Sequence, residues 1–554
     1  MTTFSDSAYL LKVTAFNQPA MDTMDGPPFP GGELDDLNFF TMSPWGAAQV
    51  SYPAATIGRT TSPTDTPPNT YVPAAFTGAL NYGMELFGGT DPSQSGQSSI
   101  GVLELIDTGF LDSLTRRIWD GATAELLRGD PAAAFSTYST VAKLTTAGIV
   151  WDTRKKELRL RDLGHVLTAP LHGTRYAGTT GYEGDSTLTG RIRPITYGQV
   201  FNIAPVQINA ATLIYEVSCT SVNAITAVRE AGAALVLDTT VGTSGDVATY
   251  ALLAAATIAS GKYATCKALG LFRLQAAPTK TITADVQGDA DTIGGATYTA
   301  KRAGIMRRIA VGRGNLKLTT SQLDDSTFTA MDTAQAATCG FYFAEEITKA
   351  EALARVAAGC LGYWWFTIAG LLSVGYLTEV ATTADYTLTV PTSGQATGTG
   401  DVIGEPVMRV YSGPRQATYG GWSFNYTVQP QSELAGAVTQ ANVAIYSADM
   451  RKVSSTSATL ARIWPTSPIT TLDTGMAGSS DAQTEVTRQQ TLLAVPRVRW
   501  SVKARLDPFG NWLNKTFSVN GWQRFGFAGA KRFLCVGVSV QGRNEVVLDL
   551  WGAL

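Results

Sequence analysis

Residues 497–506 read RVRWSVKARL, which sets Val498, Trp500, Val502 and Ala504 against Arg497, Arg499, Ser501, Lys503 and Arg505. A period of two is that of a β-strand, where successive side chains leave opposite faces. The same period runs through KKELRLRDL (155–163), with Leu158 and Leu160 on one face and Glu157, Arg159 and Arg161 on the other. It recurs in GGWSFNYTV (420–428) through Trp422, Phe424, Tyr426 and Val428. The stretch RFLCVGVSVQGRNEVVLDLWG (532–552) reads as a hairpin turning at Gly542–Arg543–Asn544. These patterns lie toward the two ends of the chain. They predict a mainly β, multidomain protein with an α+β middle.

Four regions follow. Residues 1–170 read as β, interrupted by the Pro-rich stretches MDGPPFPGGELDD (24–36) and TTSPTDTPPNTYVP (60–73). Proline removes a backbone donor and fixes φ, so both stretches read as loops. Residues 171–290 mix strands with a short Ala-rich helix near 248–260. Residues 291–380 are the helical part. YTAKRAGIMRRIAVGRG (298–314) carries Ile305, Met306 and Ile309 as an apolar stripe. A second helix starts at a capping box, Thr348 and Glu351, and continues with Leu353, Val356, Ala357 and Cys360 at core-facing spacing. YWWFTIAGLLSVGYL (363–377) reads as a hairpin about Ala369–Gly370, with Trp364 and Phe366 opposite Leu372, Val374 and Tyr376. Residues 381–554 return to β.

The chain has 554 residues, 44% hydrophobic but only 16% charged, with a formal net charge of −3. That composition excludes a disordered chain and a general pull toward nucleic acid or an anionic membrane. A surface so poor in charge suits a protein that covers much of itself with neighbours. Cys219, Cys266, Cys339, Cys360 and Cys535 are scattered, odd in number and without metal-knuckle spacing, so they read as reduced buried thiols. The N-terminus has no signal-peptide pattern, and the longest lipid-like run, 250–261, falls short of a membrane span.

The residues 171–201, LHGTRYAGTTGYEGDSTLTGRIRPITYGQVF, crowd histidine, arginine, tyrosine and glycine together as active-site loops do. Yet only two histidines exist, His165 and His172, and neither has a nucleophile in motif context, so both read as packing or capping residues. No HExxH or paired CxxC is present. The adjacent acids Asp35–Asp36, Asp324–Asp325 and Glu345–Glu346 point apart on any regular element, which does not suit a two-carboxylate hydrolase. No catalytic, cofactor-binding or metal-binding residue is therefore assigned, and no cofactor. Arg128–Gly129–Asp130 reads as a turn. The sequons at Asn425 and Asn514 lack a secretory context. ASGKYAT (259–265) lacks the rest of a phosphate loop, and GQATGTGD (394–401) lacks a strand-to-helix context. The basic face Arg497, Arg499, Lys503 and Arg505 has no aromatic platform for nucleic acid. It is expected to meet another protein, so that reversing Arg499 and Lys503 weakens assembly. Arg175, Arg191 and Arg193 are expected to clamp backbone carbonyls or acids such as Glu183 and Asp185, at a turn-rich junction leaving the first β region.

The block APLHGTRYAGTTGYEGDSTLTGRIRPITYGQVFNIAPVQIN (169–209), then LIYEV and YATCKALGLFRLQAAPTKTITADVQGD (263–289), resembles a block in tail-tip hub proteins of long-tailed, non-contractile bacteriophages and gene-transfer-agent-like particles. The matching positions are Arg175, Tyr176, Ala177, Gly178, Gly190, Arg191, Pro194, Tyr197, Gly198, Asn202 and Pro205. They continue with Gly270, Leu271, Phe272, Arg273, Leu274 and Pro278, then Asp285, Val286, Gly288 and Asp289. The resemblance implies two tube-type β-barrel-like domains, at 1–170 and 381–554, flanking a mixed inserted domain at 171–290 and a helical segment with its hairpin at 291–380. It implies a structural, non-enzymatic virion protein made in the bacterial host cytoplasm. The implied assembly is a homotrimeric ring continuing the tail tube, which takes part in host attachment and genome delivery. Its implied partners are a distal tail ring, a tape-measure protein and tail fibre or spike proteins. DNA would pass the lumen without specific binding, and contact with the host envelope would be indirect. A tail-associated cell-wall or polysaccharide hydrolase and a receptor-binding fibre are the alternatives. The first needs a compact catalytic motif, and the second is usually marked by repeats.

Overall fold

The computed structural model describes residues 7–17, 48–65, 68–76, 80–90, 92, 98–107, 109, 117–152, 154–293, 295, 297–391, 401–522, 530–541 and 545–554. The Pro-rich stretch 24–36 with its Asp35–Asp36 pair, the Gly-rich run 394–400 and the turn 542–544 lie outside them. The second Pro-rich stretch is described apart from residues 66–67 and carries two short paired strands, Arg59–Thr60 and Tyr71–Val72.

The alternating stretch at 497–506 forms the strand Arg497–Ala504, paired along its whole length with Val546–Ala553. Lys531–Val540 adds to the other side of Val546–Ala553, Thr516–Asn520 follows, and Tyr386–Thr389 joins in parallel. Val402 bridges to Ala504, and Thr389 accepts from the N–H groups of Asp401 and Val402, so the sheet almost closes on itself. Val407–Ser412 pairs with the first half of Arg497–Ala504. The strand Tyr82–Glu85, from far upstream, pairs antiparallel with the second half of Lys531–Val540 and with Ser98–Ile100 on its other edge, which makes eight strands.

The six-stranded sheet is antiparallel throughout, in the order Ala48–Ala55, Ala8–Asn17, Arg117–Gly129, Ser139–Trp151, Lys155–Arg161 and Val102–Ile106. Its core face and that of the eight-stranded sheet share one hydrophobic core. Leu103, Trp119 and Leu158 come from the first region, Trp365 from the hairpin, and Trp500 and Trp551 from the end of the chain. Each large side chain of this kind contributes about 1.5–3 kcal/mol by leaving water.

Between these sheets in sequence lie two five-stranded sheets. One runs Ala233–Ala234, Ala224–Glu230, Ile282–Gly288, Ile195–Ile203 and Gly340–Phe343. The other runs Val206–Asn209, Ile214–Glu216, Leu271–Leu274, Lys262–Cys266 and Val236–Leu237. The Ala-rich helix expected near 248–260 is the single short helix Tyr250–Ala255. The helix read at 298–314 spans Arg302–Gly312 and buries Ile305, Met306 and Ile309 completely. The capping box forms as expected. Glu351 accepts from the Thr348 N–H at 2.9 Å, and Thr348 Oγ1 accepts from the Glu351 N–H at 3.2 Å. The hairpin pairs Trp364 with Val374 and Phe366 with Leu372.

Three readings change. The alternation at 420–428 does not make one strand. Ala417–Trp422 stops at Ser423, whose φ of +48° leaves the extended region, and Val428 is exposed. The helix Ser479–Leu493 lies inside the region read as β. It buries Glu485, Gln489 and Gln490 beside Val486 and Leu493, so it shows no continuous apolar stripe. The basic strand, finally, does not present its arginines to a partner. Arg497 and Arg499 are buried, because the face opposite Trp500 is covered too. Arg499 pairs with Asp549 at 2.9 Å and Glu85 at 3.0 Å and donates to Phe87 O. Arg497 forms a two-point contact with Glu379, donates to Leu492 O and lies over the Trp551 ring. Lys503, paired with Glu545 at 2.5 Å, and Arg505 are exposed and fit the outward reading.

Replacing Arg499 with alanine is therefore expected to act on the fold. It leaves the buried Asp549 without its nearest cation, and denaturant titration should show a loss of about 3–5 kcal/mol.

Candidate functional site

The block 169–216 with its continuation at 263–289 carries the histidine, arginines, tyrosines and glycines whose crowding most resembles an active-site loop. After the short helix Gly164–Leu167 the chain enters the middle sheets through loops and two single-turn helices, Gly181–Glu183 and Ser186–Leu188. Two of its glycines are required by geometry. Gly198 has φ +62° and an added Cβ would sit 2.0 Å from Cys339 O. Gly270 has φ +64° and an added Cβ would meet Ser218 O at 2.1 Å.

Arg193 organises the first half. It is 4% exposed and donates to Glu216 from Nη2 at 2.6 Å and from Nε at 3.2 Å. Glu183 stands 3.4 Å away on its other side. Its guanidinium lies 3.9 Å from the Tyr182 ring centre and 5.1 Å from that of Tyr176. The Tyr176 hydroxyl donates to Glu216, which is wholly buried. Burial alone pushes the Glu216 carboxyl up, while Arg193 and the Tyr176 hydroxyl pull it down. Burial works against the Arg193 cation, and the attraction of Glu216 outweighs it, so its pKa rises. The expected clamp to Glu183 is thus present but secondary. The main partner, Glu216, lies 23 positions downstream in LIYEV, where nothing in the local pattern marks it. Asp185 caps the Thr187 N–H at 3.0 Å instead of meeting an arginine. Arg175 donates to Gly190 O at 2.9 Å and to Glu346 at 2.8 Å. Arg191 contributes its backbone, accepting from the Tyr176 N–H.

The second half uses the same chemistry. Asp289, fully buried at φ +50°, takes Arg313 and Arg308 together, and Arg313 reaches Asp291 at 2.9 Å. Asp285 forms a two-point pair with Arg229 and accepts from the Asn202 N–H at 2.8 Å. Arg273 donates to the carbonyls of Leu253, Ala254 and Ala256, satisfying the last turn of Tyr250–Ala255. Arg302 has no exposed surface and donates to Val356 O and Thr474 O.

Both histidines hydrogen-bond to backbone carbonyls. His165 Nδ1 lies 3.0 Å from Asp162 O, and His172 Nε2 lies 3.1 Å from Phe343 O. Burial lowers the His172 pKa, which favours the neutral ring donating from Nε2. The adjacent acids do point apart: Glu345 pairs with Arg355 and Glu346 with Arg175. Asp325 pairs with Arg307, while Asp324 accepts from Ser326 and Ser373. Arg128 holds Asp507 from two nitrogens, and Asp130 opens the turn between two strands. Asn425 is buried and donates to Ile445 O and Ala448 O. The five cysteines are free thiols, and burial raises the pKa of each. Among the described residues no three His, Cys, Asp or Glu side chains gather as a metal site, and no helix is long and apolar enough to cross a membrane.

Lys349 stands apart from these paired groups. It is fully buried in the first turn of Lys349–Ala358, donates to Leu316 O and has Lys317 as its charged neighbour. Its backbone N–H donates to Ala169 O, and the N–H of Leu171 donates to Ile347 O, so it sits where the joint docks on the helix. Burial, with Lys317, lowers its pKa to about 8.

No family model matches the chain, and no curated protein matches it. Among solved structures it is similar to a tail protein from Neisseria meningitidis MC58, at 9% identity and TM-score 0.33, over 85% of this chain and 91% of that one. It is similar to the 43 kDa tail protein of prophage MuSo2 from Shewanella oneidensis, at 9% identity and TM-score 0.32, over 85% and 93%. A chain of the native gene transfer agent virion matches at 12% identity and TM-score 0.36, over 66% and 85%. Superpositions this loose carry no argument about role.

Two outcomes are expected at the joint. Glu216→Gln leaves the Arg193 cation buried without its carboxylate and should cost about 3–5 kcal/mol in denaturant unfolding, with recovery in an Arg193→Met, Glu216→Leu pair. Lys349 binds its proton less readily folded than unfolded, so between the folded pKa of about 8 and the ordinary lysine value of 10.5 it makes stability rise with pH. Thermal melts across that window should show the rise in the native chain and lose it in Lys349→Met, which should melt higher at neutral pH.

Proposed function

We propose that this chain is the structural hub of a phage tail tip. In this reading three copies form a ring that continues the tail tube, joins a distal tail ring to a fibre or spike, and lets DNA pass toward the host. The reading starts from the sequence resemblance at 169–289. The observation that carries it further is how that block is built. Arg193, Glu216, Arg273, Asp285, Asp289 and Arg313 close backbone ends and each other inside a rigid joint. An enzyme would aim some of them into a cleft.

The division into two tube-type end domains with an inserted middle belongs to the same proposal. So does localisation in the virion, with the tape-measure protein as a further partner. Obligate rings of this kind need large interfaces, on the order of 2,000 Å² or more. The heterologous contacts of a cyclic trimer must close.

Sedimentation and negative-stain electron microscopy of the purified protein should show a three-copy ring. A six-copy ring would favour a distal tail ring instead. Clearing of host cell wall in a zymogram, by the purified chain alone, would move the function to the hydrolase class.

A further inference from the structure

Asn520–Gly521 is the only Asn-Gly step in the chain. It lies at the end of the strand Thr516–Asn520, on the seam where the eight-stranded sheet almost closes. Asn520 is paired in parallel with Thr389, and its carbonyl accepts from the Val390 N–H at 2.8 Å. The chain then turns away at Gly521, whose φ is +82° and where an added Cβ would sit 2.9 Å from Val390 O. A side chain there would be both strained and crowded. The fold therefore requires glycine at 521 and leaves its nitrogen without a side chain to shield it.

The groups around this step suit a reaction between the two residues. Gly521 is exposed, and among the described residues its N–H has no hydrogen-bond partner. Asn520 is half-buried. Ser518, two positions back on the same side of the strand, donates from Oγ to Asn520 Oδ1 at 3.1 Å. A donor on a carbonyl oxygen stabilises the negative charge that develops there when a nucleophile adds to its carbon. The Asn520 amide nitrogen, the group that has to leave, has no hydrogen-bond partner among the described residues.

We propose that Asn520 is a site of spontaneous deamidation in the folded chain, assisted by Ser518. The Gly521 nitrogen attacks the Asn520 side-chain carbon. A succinimide ring forms, and the amide nitrogen leaves as ammonia with the proton that the Gly521 nitrogen loses. Water then opens the ring at either of its carbonyls. One opening gives aspartate with the backbone unchanged. The other gives isoaspartate, in which the backbone runs through the former side chain and is longer by one carbon. In that product the carbonyl that held the Val390 N–H becomes part of a free carboxylate, outside the main chain. The strand Tyr386–Thr389 has Thr516–Asn520 as its sole strand partner among the described residues, so it is the element that loosens. Slow chemistry at one residue thus weakens the closure of the sheet.

The test holds the full chain folded at mildly alkaline pH for several weeks, beside the same chain in denaturant. Digestion and mass spectrometry should show a gain of one mass unit at Asn520, and a protein isoaspartate methyltransferase should label the product. The folded chain should react no more slowly than the denatured one, because Ser518 assists only in the fold, and Ser518→Ala should slow the folded reaction severalfold. Asn520→Gln, whose longer side chain does not form the same ring, should stay unmodified and keep its melting temperature. The native chain's melting temperature should fall as product accumulates. If the folded chain stays unmodified at Asn520 while the denatured chain reacts, the fold protects the step and the proposal is wrong. Equal folded rates in Ser518→Ala and the native chain would overturn it as well, since the lability would then belong to the dipeptide alone.

Discussion

Arg499 ties the two ends of the chain together. The barrel strand Arg497–Ala504 brings its guanidinium to Asp549 on the neighbouring strand and to Glu85 on a strand contributed from far upstream. A buried arginine is tolerable only where its charge is matched and its donors are placed. Both acids and the Phe87 carbonyl are therefore required at once, which sets where Tyr82–Glu85 lies on the sheet. With that strand in place, the core from Leu103 to Trp551 becomes continuous. The regions that looked like separate β ends in sequence meet in one hydrophobic interior.

The same device recurs through the middle. A chain with only 16% charged residues has placed many of them inside, as Arg193 with Glu216, Arg308 and Arg313 with Asp289, and Arg302 on two carbonyls. Such pairs add little net stability over an apolar core, but each is costly to break and each accepts few arrangements. They fix one arrangement of the elements they join. The crowding of arginine, tyrosine and glycine at 171–201 has its cause here. Those residues end strands and satisfy carbonyls.

Legibility varied with the range of the interaction. The capping box at Thr348 and Glu351, the stripe Ile305–Met306–Ile309 and the hairpin about Gly370 depend on neighbours within one or two turns, and each stood in the sequence as it stands in the fold. The helix Ser479–Leu493 was hidden because its inner face carries Glu485, Gln489 and Gln490, which hydrogen-bond across elements instead of forming an apolar stripe. The strand reading at 420–428 failed at one residue, Ser423, whose backbone leaves the extended region for a reason that lies in its surroundings.

Sequence alone determined that the chain is mainly β with a helical insert and where its strongest helices begin. Local periodicity and chemistry suffice for those statements, because they concern residues a few positions apart. Tertiary structure decided where the charges go. The alternation at 497–504 sorts Arg497 and Arg499 onto one face and Val498 and Trp500 onto the other, and the burial of both faces depends on Glu85, Glu379 and Asp549 arriving from remote positions. A period of two reports that two faces differ. Whether the polar face meets water, a partner or its own chain depends on what the fold lays over it.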